Sequence, residues 1–269
     1  MFLPTTTKEV EARGWDELDV IIFSGDAYID HPAFGPAVIG RILEAEGYRV
    51  AIVPQPNWRD DLRDFKKLGK PRLFFAVSAG AMDSMVNHYT ANLRLRSNDA
   101  YTPGGKAGFR PDRTVDTYTK ILKKLYPHTP VVVGGIEASL RRLTHYDYWS
   151  NKLQQSILLT SGADLLVYGM GDKVIREVAK AMRNGFNMKL LRGLRQVGFV
   201  ADREYAERLF AGKTIVLNSF EECQEDKHKF GENFCHIETL SNMMECQTTL
   251  VEKVGEDYVV ITPPHERLT

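Results

Sequence analysis

Short apolar runs, each followed by a glycine-bearing turn and then a segment of helical period, constrain this chain most. Asp19–Phe23 (DVIIF) runs into Ser24-Gly25-Asp26-Ala27-Tyr28-Ile29-Asp30-His31-Pro32. Leu73–Val77 (LFFAV) runs into Ala79-Gly80-Ala81, Val131–Val133 into Gly134-Gly135, and Leu165–Tyr168 into Gly169-Met170-Gly171-Asp172. Tyr48–Val53 is a further apolar run, stopped by Pro54 and Pro56. Uniformly apolar strands belong to sheets covered on both faces. Strand–helix alternation five times over predicts an α/β fold with a doubly wound, mainly parallel sheet. In such a sheet the turns fall at the carboxyl edge, where ligands bind.

The helices between these strands follow from periodicity. Val38, Ile39, Ile42 and Leu43 share one face of a helix over Phe34–Glu46, and Gly47 suits a left-handed cap. A short charged helix is predicted over Asp60–Lys67, a helix ending near Tyr89, and another over Thr114–Leu125. A helical stretch is predicted over Trp149–Leu159 and one over Lys173–Asn184. After Leu190 the rhythm changes. Val197–Val200 and Thr214–Leu217 read as strands, Phe220–Glu245 as largely helical, and Thr248–Val254 and Asp257–Ile261 as a hairpin around Gly255-Glu256. This predicts a first domain over 1–190 and a sheet extension with a small α+β appendage over 191–269.

Apolar content of 43% and charged content of 26% are those of a globular protein. A formal net charge of zero argues against a dedicated nucleic-acid binder. No apolar run reaches the roughly 20 residues of a membrane helix. The start, MFLPTTTKEVEARGW, lacks the pattern of a signal peptide, so the expected compartment is the cytoplasm. Cys223, Cys235 and Cys246 are too widely spaced for a close-paired metal motif, and a buried apolar role is the expectation for them.

The turns supply the candidate site. Gly25, Asp26, Tyr28 and His31 stand before a helix start, where free backbone N–H groups attract anions. The alternative is an ordinary connection in which Asp30 caps the helix and Pro32 enters its first turn. Gly134 and Gly135 would let a flat ligand approach the backbone, with Glu137 and Ser139 in reach; alternatively they form a tight turn serving the next helix. The stretch Arg141–Trp149 concentrates arginines, a histidine, an acid and aromatics. We expect Asp26, Tyr28 and His31 on one wall, Ser78 and Asp83 beside it, and Glu137, Arg141 and Asp172 opposite, with Gly169 and Gly171 in the last turn. Arg96–Arg113, a loop of about 18 residues without period, is either a lid over an anionic group or a plain mobile loop. No Walker loop, G-x-G-x-x-G fingerprint, nucleophile elbow or H-E-x-x-H is present.

Three segments carry a resemblance: HPAFG leading into a helix and GYRV; VGGIEAS; and ADLLVYGMGD. They resemble the cobalamin-binding-like Rossmann domains at the N-terminus of radical S-adenosylmethionine (SAM) enzymes. SGDAYIDHPAFG, LGKPRLFFAVSAGAMDSM, NDAYTPGGKAGFRPDR and GGIEASLRRLTHYDYWS look like the N-terminal region of the YgiQ-type radical SAM proteins. The resemblance implies a downstream domain in which a C-x-x-x-C-x-x-C motif binds a [4Fe–4S] cluster and S-adenosylmethionine. This sequence lacks that motif, so it reads as an N-terminal piece whose missing radical SAM domain is its partner in cis or trans. Cobalamin is the other implied cofactor, but the D-x-H-x-x-G motif of a lower-ligand histidine is absent, because Asp30 and His31 are adjacent. The expected role is the substrate- or cofactor-gripping domain of a radical SAM enzyme, with a small-molecule ligand at the sheet edge. The alternative is a non-catalytic nucleotide or small-molecule module, including a cobalamin carrier.

Overall fold

The computed structural model describes residues 2–243 and 245–265. In chain order the elements are α1 (Thr7–Glu11), β1 (Val20–Ser24), α2 (Gly35–Ala45), β2 (Val50–Pro54), α3 (Arg63–Lys66), β3 (Phe74–Ser78), α4 (Ser84–His88), α5 (Thr114–Leu125), β4 (Val131–Gly134), α6 (Gly135–Leu140), β5 (His145–Asp147), β6 (Lys152–Gln154), α7 (Ile157–Ser161), β7 (Leu165–Val167), α8 (Asp172–Arg183), β8 (Val197–Ala201), α9 (Arg203–Leu209), β9 (Thr214–Val216), α10 (Phe220–Glu225), α11 (Lys227–Ser241), β10 (Thr249–Val254) and β11 (Asp257–Ile261). Nine strands form one sheet in the order β2-β1-β3-β4-β7-β8-β11-β10-β9. The first five run parallel; β8 then pairs antiparallel with β7, and β11 antiparallel with both β8 and β10. The fold is therefore α/β with a large, mostly parallel mixed sheet.

Burial explains the apolar runs. Every residue of β1 is buried, because helices cover both faces. On one face α2 and α8 pack through Leu43, Val174, Ile175 and Val178. On the other, α5 and α7 pack through Val115, Tyr118, Leu122 and Leu158. Gly47 closes α2 at φ +82°, the left-handed geometry expected of it. Gly40 on the same helix lets Leu3 pack close, since a Cβ there would stand 2.5 Å from Leu3 Cδ1 and that side chain would have to shift.

Three local expectations are corrected, the first being Cys235, which is exposed on α11 and not buried as Cys223 and Cys246 are. Trp149–Leu159 is not a helix: Asn151 turns at φ +52° and β6 pairs back on β5, leaving only α7 from Ile157. Asp30 does not cap α2, which starts from Phe34 with Pro36 in its first turn; Asp30 instead accepts Arg41 Nε at 2.9 Å.

From β1 the chain steps outward to β2 and returns to β3 on the other side of β1, so the strand order reverses between β1 and β3. The turns after these two strands interlock. Gly25 N donates to Ser78 O at 3.0 Å. A Cβ on Gly25 would stand 2.3 Å from Ala79 O, and one on Gly80, at φ +108°, would strike the Asp26 carboxylate.

The loop from Arg96 to Arg113 is strapped over this junction and is not a free lid. Arg110 is fully buried. Its guanidinium lies 2.7 Å from Asp26 Oδ1, donates through Nε to Asp99 Oδ2 at 3.1 Å, and reaches Ala79 O at 3.0 Å. Ala27 N donates to Tyr101 O, and Gln55 Nε2 bridges Gly25 O and Thr102 Oγ1. Burial pushes the Asp26 carboxyl up against the pull of Arg110. Burial also works against the Asp99 carboxylate, but the Tyr101 amide and Arg110 outweigh it and hold it below its usual range.

Two outcomes follow from the buried charges. Arg110→Met leaves Asp26 and Asp99 unpaired, and urea unfolding should show a loss of about 3–5 kcal/mol; a loss within the error of the melt would contradict the strap. Glu252, buried in β10, accepts Thr144 N at 2.9 Å, and burial pushes its carboxyl from 4.5 up to about 7. A raised folded pKa gives stability that is present below the ordinary value and lost as pH rises through about 7. Glu252→Gln should flatten that slope and be more stable at pH 8 by about 1–3 kcal/mol; an unchanged pH profile of the melting temperature refutes this.

Candidate functional site

A cleft of about 390 Å³ opens at the carboxyl ends of β1, β3, β4 and β7, between α2 and α8. Its floor is apolar: Ile22, Ala76, Val132 and Val167, one from each strand, with Ile39 and Ile175 from the two helices as walls. Ala76 gives it depth, because it is the small side chain in the otherwise bulky run Phe74–Val77. The volume lies within the range of small-molecule sites.

Six of the residues expected from sequence line this cleft together: Ser78, Gly134, Gly135, Gly169, Gly171 and Asp172. Gly135 takes φ +81°, and a Cβ there would stand 2.6 Å from Ser78 Oγ. The turns after β4 and β7 are tied by Ser139, whose Oγ donates to Gly135 O at 2.8 Å and accepts Gly169 N at 3.0 Å. Both α2 and α8 begin at the cleft, after Phe34 and Gly171, and neither start has a side-chain cap.

The other expected residues sit elsewhere. Gly25 and Asp26 belong to the interlocked turns under the strap. Tyr28 OH accepts Leu3 N at 3.1 Å and its ring meets Phe2 edge-on. His31 is exposed and its Nδ1 accepts Ala33 N; its neighbours Pro32 and Ala33 rim the cleft in its place.

Asp83, Glu137 and Arg141 form a separate buried cluster. Glu137 is the acceptor for Ser84 N at 3.1 Å and Val115 N at 2.8 Å, so one carboxyl serves the first turns of both α4 and α5. Helix N-termini favour negative charge, but complete burial pushes this carboxyl up. Asp83 caps α4 through Met85 N and Val86 N and pairs with Arg141. Next to them His145 is driven down to about 4 by burial, so it is neutral at pH 7. Glu137 thus serves two helices that precede it in the chain, not the one it starts.

Sequence reasoning missed several parts of the edge. Gln196 Nε2 donates to Tyr168 O at 2.7 Å and Met170 O at 2.6 Å and so holds the third turn. Its backbone is at φ +62°, a conformation no local pattern announces. Ala76 carried a signal, as the one small residue among bulky neighbours. Among the described residues no group of three or more His, Cys, Asp or Glu side chains could hold a metal ion, and no helix is long and apolar enough to cross a membrane.

No solved structure matches the chain. It is 58% identical over 270 residues to a UPF0313 protein of Porphyromonas gingivalis, covering 98% of this chain and 41% of that protein. A UPF0313 protein of Bacteroides thetaiotaomicron is 58% identical over 273 residues, with 98% and 44% covered, and one of Geobacter sulfurreducens is 48% identical over 263 residues, with 98% and 43% covered. The chain spans about two fifths of the length of these relatives. The family model described as "Radical SAM N-terminal" matches residues 2–269, and the chain belongs to that family.

Proposed function

We propose that this chain is the ligand-gripping part of a cytoplasmic radical SAM enzyme, with a cobalamin-binding-like Rossmann architecture. The observation that carries the reading is the apolar-floored cleft beside the β1/β3 reversal, where open α/β sheets bind ligands. Six glycines, serines and acids named from the turns alone line it. The rim is polar at Ser78 and Asp172 and the floor is not, which suits a small molecule with a flat apolar body and a polar edge.

The rest of the active site is assigned to the downstream part of the longer relatives. His265 N donates to Gln196 Oε1 at 3.2 Å, and Arg195 reaches Pro264 O at 2.6 Å. The same Gln196 holds the 168–170 turn, so His265 lies beside the cleft, and the downstream part of a longer protein is the candidate cover for it. Exposed Met170, on the rim, would be an early contact. The [4Fe–4S] cluster and S-adenosylmethionine belong to that part. The residues here do not fit a cluster, since Cys223 and Cys246 are buried and Cys235 is exposed. They also do not fit a corrinoid held in the cleft by His31, which is exposed and lies outside the cleft lining.

Gly135 is a poor site for a test, because its positive φ strains any substitution. Gly35 is better: it opens α2, lines the cleft, and a Cβ there meets nothing within 4 Å. Gly35→Phe should leave the melting temperature unchanged. In native mass spectrometry of the full-length protein, it should remove a co-purifying small molecule that the unsubstituted protein retains. Equal retention by both would refute the cleft as the site. Titration with hydroxocobalamin then decides whether that molecule is a corrinoid, by the presence or absence of a shift in the visible spectrum.

A further inference from the structure

A second cavity of about 770 Å³ lies under the 96–113 loop, against α4 and α5, and shares no residue with the cleft. Its walls carry four arginines, of which Arg110 is spent in the strap while Arg59, Arg96 and Arg113 lie outside it, and three aromatic rings, Trp58, Tyr89 and Trp149. Arg113 pairs with Asp147 at 2.6 Å. Arg59 stacks on Trp58 at 4.4 Å and gives one N–H to Gly108 O. Arg96 is exposed and, among the described residues, its side chain spends only its Nε, on Tyr89 O at 3.3 Å. The wall therefore offers more hydrogen-bond donors than the protein uses.

His88 sits in the same wall at 5% exposure. Asp112 holds it by Nδ1 at 2.8 Å, and the other oxygen of Asp112 accepts Tyr89 OH at 3.0 Å. This fixes the ring and leaves Nε2 over. Among the described residues, His88 Nε2, Trp149 Nε1 and Asp116 Oδ1 are buried without a partner. Buried polar atoms are rarely left unpaired, and here three belong to the lining of one cavity.

We propose that this cavity binds a nucleotide. The phosphate is met by Arg59, Arg96 and Arg113, whose planar guanidinium groups suit phosphate oxygens. The base lies among Trp58, Tyr89 and Trp149, with His88 Nε2 and Trp149 Nε1 as its polar contacts. The space is far larger than a free phosphate needs, and the aromatic walls have no use for one.

The test is isothermal titration of this chain with AMP, adenosine and inorganic phosphate, alongside tryptophan fluorescence. AMP should bind and quench Trp58 and Trp149, with adenosine and phosphate each weaker by about tenfold or more. A charge-assisted hydrogen bond lost in Arg96→Ala should weaken AMP by roughly 10- to 100-fold. The exposed position of Arg96 should leave the melting temperature unchanged, and Arg59→Ala serves as a second variant of the same kind. His88→Gln should weaken AMP while leaving phosphate unaffected. The absence of AMP binding at millimolar concentration overturns the proposal. So does phosphate binding as tightly as AMP, or AMP affinity indifferent to both arginine substitutions.

Discussion

The carboxyl edge of this protein depends on a buried guanidinium. Arg110 comes from a loop whose regular structure is a short 3-10 turn over Pro103–Gly105 and an isolated bridge between Asn98 and Lys106, and it ends between two buried carboxylates from different parts of the chain. An uncompensated charge in that position is strongly destabilising, whereas a paired one is close to neutral. The constraint therefore acts as a specificity device: in this placement of the loop one guanidinium pairs with both Asp26 and Asp99 and donates to Ala79 O. With that placement fixed, Tyr101 O is carried onto the turn after β1 and Thr102 Oγ1 onto Gln55 at the end of β2.

The consequences spread along the edge. The turns after β1 and β3 can touch only because Gly25 and Gly80 lack side chains. Glu137 gathers the starts of α4 and α5 on the α5 side of the sheet, while Ser139 and Gln196 tie the later turns on the α2/α8 side. The polar side chains of the edge thus divide into those that build it and those left free to meet a ligand. Most of the charged residues build it; small residues and glycines shape the cleft. That division is what the ligand-gripping role proposed above requires of the cleft.

Much of this was legible in the sequence. The strands are uniformly apolar because both faces are covered, and the turns fall at one edge because parallel strands share a direction. Ser78, Gly134, Gly135, Gly169, Gly171 and Asp172 could be named for the same reason. The roles of Asp26, Glu137 and Arg141 could not be separated from ligand contacts, because a buried acid holding two helix starts has the same local pattern as one facing a substrate. Arg110 and Gln196 act across long sequence separations, and only the folded topology shows what they reach. The β5–β6 hairpin was hidden because each strand is three residues long, too short to display a period.

Amide hydrogen exchange tests the central claim most directly, that the 96–113 loop is locked by its buried arginine. The account predicts that the amides of Ala27, Ala81 and Tyr101, all donors in the strap, exchange as slowly as those of β1 and β3. It also predicts that Arg110→Met releases these three amides before those of the strands. Fast exchange of the three amides in the unsubstituted protein, at the rate of an open loop, would contradict it.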